Sequence, residues 1–333
     1  MTLTAGAPPA AGRLLPGLAL TAAAVAVALV VNRLVPMLSP AVVAVALGAA
    51  LANTAGIGAS VAPGVRFVSR TVLRTAIVLL GLQIALPDVL ALGWQPIAVI
   101  ALATGLTFTI TPLIGRRLGL SPGTSLLVAT GVSICGAAAV AGMHEATGGE
   151  GGVSDDDDAA GALSVVVLYG TALIVLLPLT ASWLGLSARQ LGVWTGASVH
   201  EVAQVAAIGA ATGGAVLAVA VTVKLARVVL LAPLVALTTL RTGLSRRRSA
   251  PLVPLFVLGF LLMVAVRSTG LVPHAVTDVA PRISGLLLAA ALFGLGTGID
   301  ARKLLRGGRA LLLGAISTAL IGAISLALVA LFV

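Results

Sequence analysis

The chain has 333 residues, 59% of them hydrophobic and 9% charged, with a mean hydropathy of +1.17. A soluble domain carries about 25% charged residues, so this composition excludes one, and repeated apolar runs of about 20 residues point to an all-α integral membrane protein. The net charge of +10 would suggest nucleic acid in a soluble protein; here the cations sit between apolar runs, so membrane topology accounts for them and no nucleic-acid partner is expected. The alternating ten-residue strands of an outer-membrane barrel are absent, and a single cysteine, Cys135, excludes an internal disulfide.

In chain order, hydropathy predicts eleven spans at roughly 14–35, 39–55, 72–87, 95–115, 122–143, 160–184, 188–210, 214–240, 252–270, 283–300 and 308–332. Residues 1–12 are rich in Ala, Pro and Gly and read as disordered. The run after Arg13 is too long for a signal peptide and reads as an uncleaved helix. Alternating eleven spans places Arg13, Arg66, Arg70, Arg74, Arg116, Arg117, Arg189, Arg241, Arg246, Arg247, Arg248, Arg302, Lys303, Arg306 and Arg309 on one side. Only Arg33, Arg267 and Arg282 fall on the other. That asymmetry predicts an inner-membrane protein with a cytoplasmic N-terminus and a periplasmic or extracellular C-terminus. The loop Gly148–Ala160, with Glu150 and Asp155–Asp158, falls on the outer side in this scheme. It reads as a solvated, self-repelling loop, because its acids lack the spacing of a calcium loop.

Eleven spans divide into an extra first helix (1–38) and two five-helix halves (39–186 and 187–333), inverted because five is odd. The second helices of the halves look alike: V-L-R-T-A-I-V-L-L-G from Val72 against V-K-L-A-R-V-V-L-L-A from Val223. The fourth helices each carry a small-residue cluster, Thr130-Gly131-Val132-Ser133-Ile134-Cys135-Gly136 and Gly294-Leu295-Gly296-Thr297-Gly298. Such clusters either permit close helix packing or break a helix and free backbone groups that must line a cavity. A rival match pairs T-G-V-S-I at 130–134 with T-G-A-S-V at 195–199 and ranks second.

Thr195–Gly209 lies within an apolar run yet carries His200, Glu201 and Gln204. As one helix it would hold all three within an arc of about 100°. The next run holds Lys224 and Arg227, three apart and so on one helix face. Ionisable groups at membrane depth cost roughly 2.5–3.5 kcal/mol on insertion scales and face a protein interior or a wet cavity. Lys224 and Arg227 either pair with Glu201 in a buried network or, one positive charge remaining over, neutralise an anion.

The segments V-L-R-T-A-I-V-L-L-G, G-V-S-I-C-G-A-A-A-V, H-E-V-A-Q-V and V-K-L-A-R-V-V-L-L-A-P, in that order, resemble the bacterial sulfate exporter family. That family is grouped with the sodium–proton antiporters and bile-acid sodium symporters. The resemblance runs from about Ser39 to the C-terminus. It implies inverted five-helix repeats, two discontinuous crossing helices, a moving core domain and a homodimer. The acidic loop is this chain's departure from the pattern.

The expectation is a secondary transporter of a small anion, sulfate or a related oxyanion or sulfonate, without cofactor and without enzymatic activity. Arg227 and Lys224 would neutralise the substrate, and Ser133, Gly131, Gly136 and Gln204 would supply hydrogen bonds. His200 and Glu201 are the candidate proton carriers, His200 having a structural role as its alternative. Thr130, Cys135, Gly294, Gly296 and Gly298 would shape the discontinuous helices. Asn53 is a candidate for the same cavity. The alternatives are a sodium-coupled organic anion symporter and an anion channel. No H-E-x-x-H, G-x-x-x-x-G-K-[ST] or G-x-S-x-G motif argues for hydrolysis.

Overall fold

Helix starts follow local sequence. Ser39-Pro40, Ser121-Pro122 and Ser187 each place a hydroxyl at the N-cap, accepting from the backbone N–H three residues on. Each such cap is worth about 1 kcal/mol. Asp155 and Asp158 form a reciprocal capping box, so the acidic run opens a helix rather than forming a free loop.

The computed structural model describes residues 11–35, 38–149, 151–242, 255–298 and 308–333. Glu150, Arg246, Arg247, Arg248, Arg302, Lys303 and Arg306 lie outside the described residues. The described helices are α1 (Ala11–Leu34), α2 (Pro40–Thr54), α3 (Ala62–Phe67), α4 (Leu73–Leu80), α5 (Leu86–Ala91), α6 (Trp94–Arg117), α7 (Pro122–Ser133) and α8 (Ala137–Thr147). They continue with α9 (Asp156–Leu184), α10 (Ala188–Ser198), α11 (Val202–Thr212), α12 (Gly214–Val229), α13 (Leu231–Arg241), α14 (Leu255–Ser268), α15 (His274–Gly296) and α16 (Gly308–Phe332). A π-helical turn, Val68–Val72, joins α3 to α4, so the chain from Ala62 to Gln83 is one bent rod. Among the described residues, six helical rods are long and apolar enough to cross a membrane: α1, α6, α9, α12 with α13, α15 and α16.

The runs predicted as single spans at 122–143 and 188–210 are each broken in two and turn back. Ser121 and Thr124, at the start of α7, donate to the Asp158 carboxylate, and His144, near the end of α8, meets Asp156. Both ends of α7–α8 therefore lie together. In the second pair, Gly192 and Gly196 of α10 pack on Val219 and Val223 of α12, a parallel alignment, while Gly209 of α11 returns against Leu217. Each half-helix has 11 or 12 residues, about 17 Å, or half a hydrocarbon core.

This corrects the topology drawn from hydropathy. Gly148, Gly149, Ser154, Asp155 and Asp156 lie at the same end as Arg66, Arg70 and Arg74, not opposite, and Arg74 pairs with Glu145 there. We call this the arginine-rich end; it also carries Arg116 and Arg117, and Arg309 beside Gly119. Arg189, predicted on that side, instead donates to the carbonyl of Leu92 at the opposite end. The two hairpins thus insert from opposite ends and meet tip to tip.

A second correction concerns the position of the breaks. One falls at 134–136, as Thr130–Gly136 suggested: Ile134 leaves helical geometry and Gly136 takes φ 71. The other falls at 199–201, where Val199 and Glu201 are extended. Gly294 and Gly296 instead lie in the last turn of the unbroken α15, and Gly298 just beyond it. Gly296 faces the Val45 carbonyl and Gly294 faces Ser69, so their small size permits close packing of α15 on α2 and the bent rod. Having extended backbone at 199–201 also dissolves the predicted helical arc of His200, Glu201 and Gln204.

Candidate functional site at the hairpin tips

Breaking two helices inside the bundle exposes four helix ends. The carbonyl-bearing ends of α7 and α10 carry partial negative charge and unpaired acceptors. Lys224 and Arg227, one turn apart on α12 and fully buried, meet both. Lys224 Nζ donates to the carbonyls of Ile134 and Val199, each at 2.6 Å. Arg227 donates through Nε to Ser133 (3.1 Å), through one terminal nitrogen to Gly196 and Val199 (both 3.0 Å), and through the other to Val132 (2.9 Å). Thr104 of α6 adds a hydroxyl to the Ser133 carbonyl at 3.2 Å. One helix face therefore clamps both tips.

This revises the roles read from sequence. The two cations pair neither with Glu201 nor with open space; their donors serve the main chain the breaks released. Among the described residues, neither side chain lines either of the two cavities at the ends of the bundle.

The amino-terminal ends of α8 and α11 face the other way and carry partial positive charge. Gly136 caps α8 and has no side chain to do so. Glu201 reaches it from the other hairpin: its Cγ packs on Gly136, and Ser39 Oγ donates to its carboxylate at 3.4 Å. A Cβ at Gly136 would stand 2.7 Å from Glu201 Cγ, so glycine there makes the crossing possible. Gln204 Oε1 accepts from the Glu201 N–H at 3.0 Å, and its amide packs on Gly170.

A cavity of about 600 Å³ opens at these amino-terminal ends. Glu201, Cys135, Ala137, Ala138, Val202 and Ala203 line it, together with Gln83, Arg282 and the buried Ser284. A second cavity of about 640 Å³ lies at the arginine-rich end, between Arg66, Arg70, Arg74, His144, Glu145 and Asp156. The same three elements border both. Leu73 and Leu80 on α4 are seven residues apart, about 10 Å, and one lines each cavity. Ala138 and His144 on α8, and Leu288 and Gly294 on α15, divide in the same way six residues apart, about 9 Å. Between the cavities Ala76, Ile77, Val140, Ala141, Ala291 and Leu292 are buried in contact layers.

The remaining predicted residues divide. His200 is fully buried with Nε2 3.0 Å from Thr318 Oγ1, while its Nδ1, Ser133 Oγ and Gln204 Nε2 are buried without a hydrogen-bond partner. Thr130 returns its hydroxyl to Leu126, and Gly131 packs against Val140 and Val166. Asn53 is exposed on the last turn of α2, with its amide on the Ala49 carbonyl, and does not join the cavity. Sequence reasoning missed Ser39, Gln83, Ser284 and Thr318. A small polar residue in an apolar run was their only signal, and many such residues do no more than cap or return to their own helix.

Comparison with known sequences gives the membrane assignment. A UPF0324 membrane protein of Corynebacterium glutamicum is 43% identical over 301 residues, 88% of this chain and 85% of that one. The UPF0324 membrane protein TauZ of Paracoccus denitrificans is 39% identical over 270 residues, 77% and 78% of the two chains. One from Pseudomonas aeruginosa is 36% identical over 326 residues, 91% and 90%. No solved structure matches the chain. The family described as conserved hypothetical protein 698 matches residues 16–315. With that match over most of its length, and with long apolar helices surrounding two broken hairpins, the chain is a multi-pass membrane protein of the conserved hypothetical protein 698 family.

Proposed function

We propose that the protein is a secondary transporter of a small anion, working by alternating access across the bacterial inner membrane. The carrying observation is the pair of hairpin tips: two helices begin at one cavity, deep in the bundle, with a carboxylate between them. Helix amino-termini are ready anion sites. Roughly half a charge belongs to each helix end. Two cations, two negative ends, two positive ends and an ionised Glu201 then leave about one positive charge, which an anion would balance.

Two cavities separated by a packed layer about 10 Å thick along three helices suit a carrier better than a channel, which needs a continuous path. The T-G-V-S-I and T-G-A-S-V tips, inserted from opposite ends, support an inverted pair built around the hairpins rather than around 294–298. The arginine-rich end is assigned to the cytoplasm: among the described residues it gathers most of the arginines, while Arg33, Arg189 and Arg267 lie at the other.

Glu201 gives the coupling. Ionised, it holds the start of α8; protonated, it releases that end to the substrate, so a proton and an anion bind together and are carried together. The test is uptake of labelled anion into proteoliposomes under a pH gradient, with sulfate, sulfite, thiosulfate, taurine and small carboxylates. Glu201→Gln should still bind anion yet lose the drive from the gradient. Unchanged pH dependence in that variant refutes the coupling, and a sodium requirement would favour the sodium-coupled symporter.

A further inference from the structure

We infer that the anion held at the tips is an amphiphilic organic monoanion, a sulfonate or carboxylate head on a short apolar body, rather than inorganic sulfate. This rests on the carrier site proposed above and names the substrate it would take. Three observations carry it.

The first is the wall. Beyond Glu201 and a few polar groups, the cavity is aliphatic, with Leu29, Leu80, Ile84, Leu225, Val228 and Leu288 around it. Small-molecule sites of this kind fix orientation with a few polar groups and take their affinity from apolar contact. The second is the supply of donors. Lys224 and Arg227 give theirs to main-chain carbonyls. Gln83 Nε2 donates to Ser284 Oγ at 2.7 Å, and Ser39 Oγ is turned to Glu201. What remains, once a protonated Glu201 lets go of the helix starts it sits on, is the backbone there on one side and the exposed Arg282 on the other. Sulfate presents four oxygens in all directions, and stripping its water without replacing every hydrogen bond is costly. A head group with donors on one side and a carbon body on the other has no such deficit. The third is shape. Ala137 and Ala138 open α8, Ala203 follows Val202 at the start of α11, and Ala206 lies one turn on; these small side chains let a head group approach the backbone while the body lies outward among the leucines.

The experiment uses the full chain in lipid nanodiscs. Thermal stabilisation and protection of Cys135 from alkylation are measured against sulfate, methanesulfonate, butanesulfonate, hexanesulfonate and the neutral hexanol. Each buried methylene contributes about 0.8 kcal/mol, so the half-saturating concentration should fall about fourfold per methylene until the cavity is filled. Ala206→Leu, which narrows the cavity, should erase the gain at hexanesulfonate and spare methanesulfonate. Leu288→Ala, which removes wall without adding bulk, should flatten the series and serves if the first variant does not fold. Tightest binding by sulfate, a flat series, or equal protection by hexanol overturns the inference. Sulfate flux without a chain-length effect would sink the substrate class and leave the carrier standing. A steep series without flux would do the reverse.

Discussion

Replacing Arg227 by Ala tests whether this side chain is a clamp or a substrate ligand. The guanidinium reaches four carbonyls, but two of them have a second donor: Ser133 has Thr104, and Val199 has Lys224. The carbonyls of Val132 and Gly196 have none among the hydrogen bonds described. Leaving a buried acceptor unpaired costs about 1–3 kcal/mol, so Arg227→Ala should lose about 2–6 kcal/mol from these two groups. That excludes the dipole contribution at both helix ends. The assay is the apparent Tm of purified protein, followed by size-exclusion with fluorescence detection. A drop of about 4 °C or more is expected, with Arg227→Lys falling between the two because an ammonium replaces only part of the fork. A variant with the wild-type Tm and weakened anion binding would refute the clamp and restore Arg227 as a ligand.

Other predictions follow the same geometry. Gly136→Ala puts a Cβ against Glu201 and Val166 at a positive φ, so it should lower stability by about 1–3 kcal/mol; a neutral effect on Tm would mean Glu201 does not cross to α8. Arg74→Gln removes an ion pair whose arginine is 55% exposed and should change stability by less than about 1 kcal/mol, read from the same melt; a larger loss would make the pair a latch of the fold. On a Cys135→Ala background, Asp157→Cys should react with a membrane-impermeant thiol reagent from the same side as Arg117→Cys, and Asp88→Cys from the other. Labelling of Asp157→Cys together with Asp88→Cys would restore eleven crossings and remove the hairpins.

The site was legible in parts. Lys224, Arg227 and Glu201 stand out because a charge in an apolar run has to be answered by something. Their partners do not, because a main-chain carbonyl set free by a helix break has no letter in the sequence. The hairpins were hidden for a related reason. A run of about 20 apolar residues satisfies hydropathy whether it crosses once or goes halfway and returns, since both bury the same side chains. The lower-ranked match between T-G-V-S-I and T-G-A-S-V marked the two breaks, while the glycines at 294–298 answer a different need, close contact between α15 and α2. The acidic run shows how one topological error propagates: once 122–143 is counted as a crossing, Asp155–Asp158 moves to the wrong end. Its capping pattern, an aspartate answered by another three residues on, was readable before any end was assigned.

Cys135 offers the most direct test of the tips as a ligand site, because it lines the tip cavity and is the only thiol in the chain. Its alkylation rate in sealed, oriented vesicles can be followed with no substitution at all. A charged reagent should reach it from the end carrying Asp88 and not from the arginine-rich end, and any anion that stabilises the protein should slow the reaction in proportion to occupancy. Equal access from both ends, or an unchanged rate at saturating anion, would contradict a ligand site at the tips.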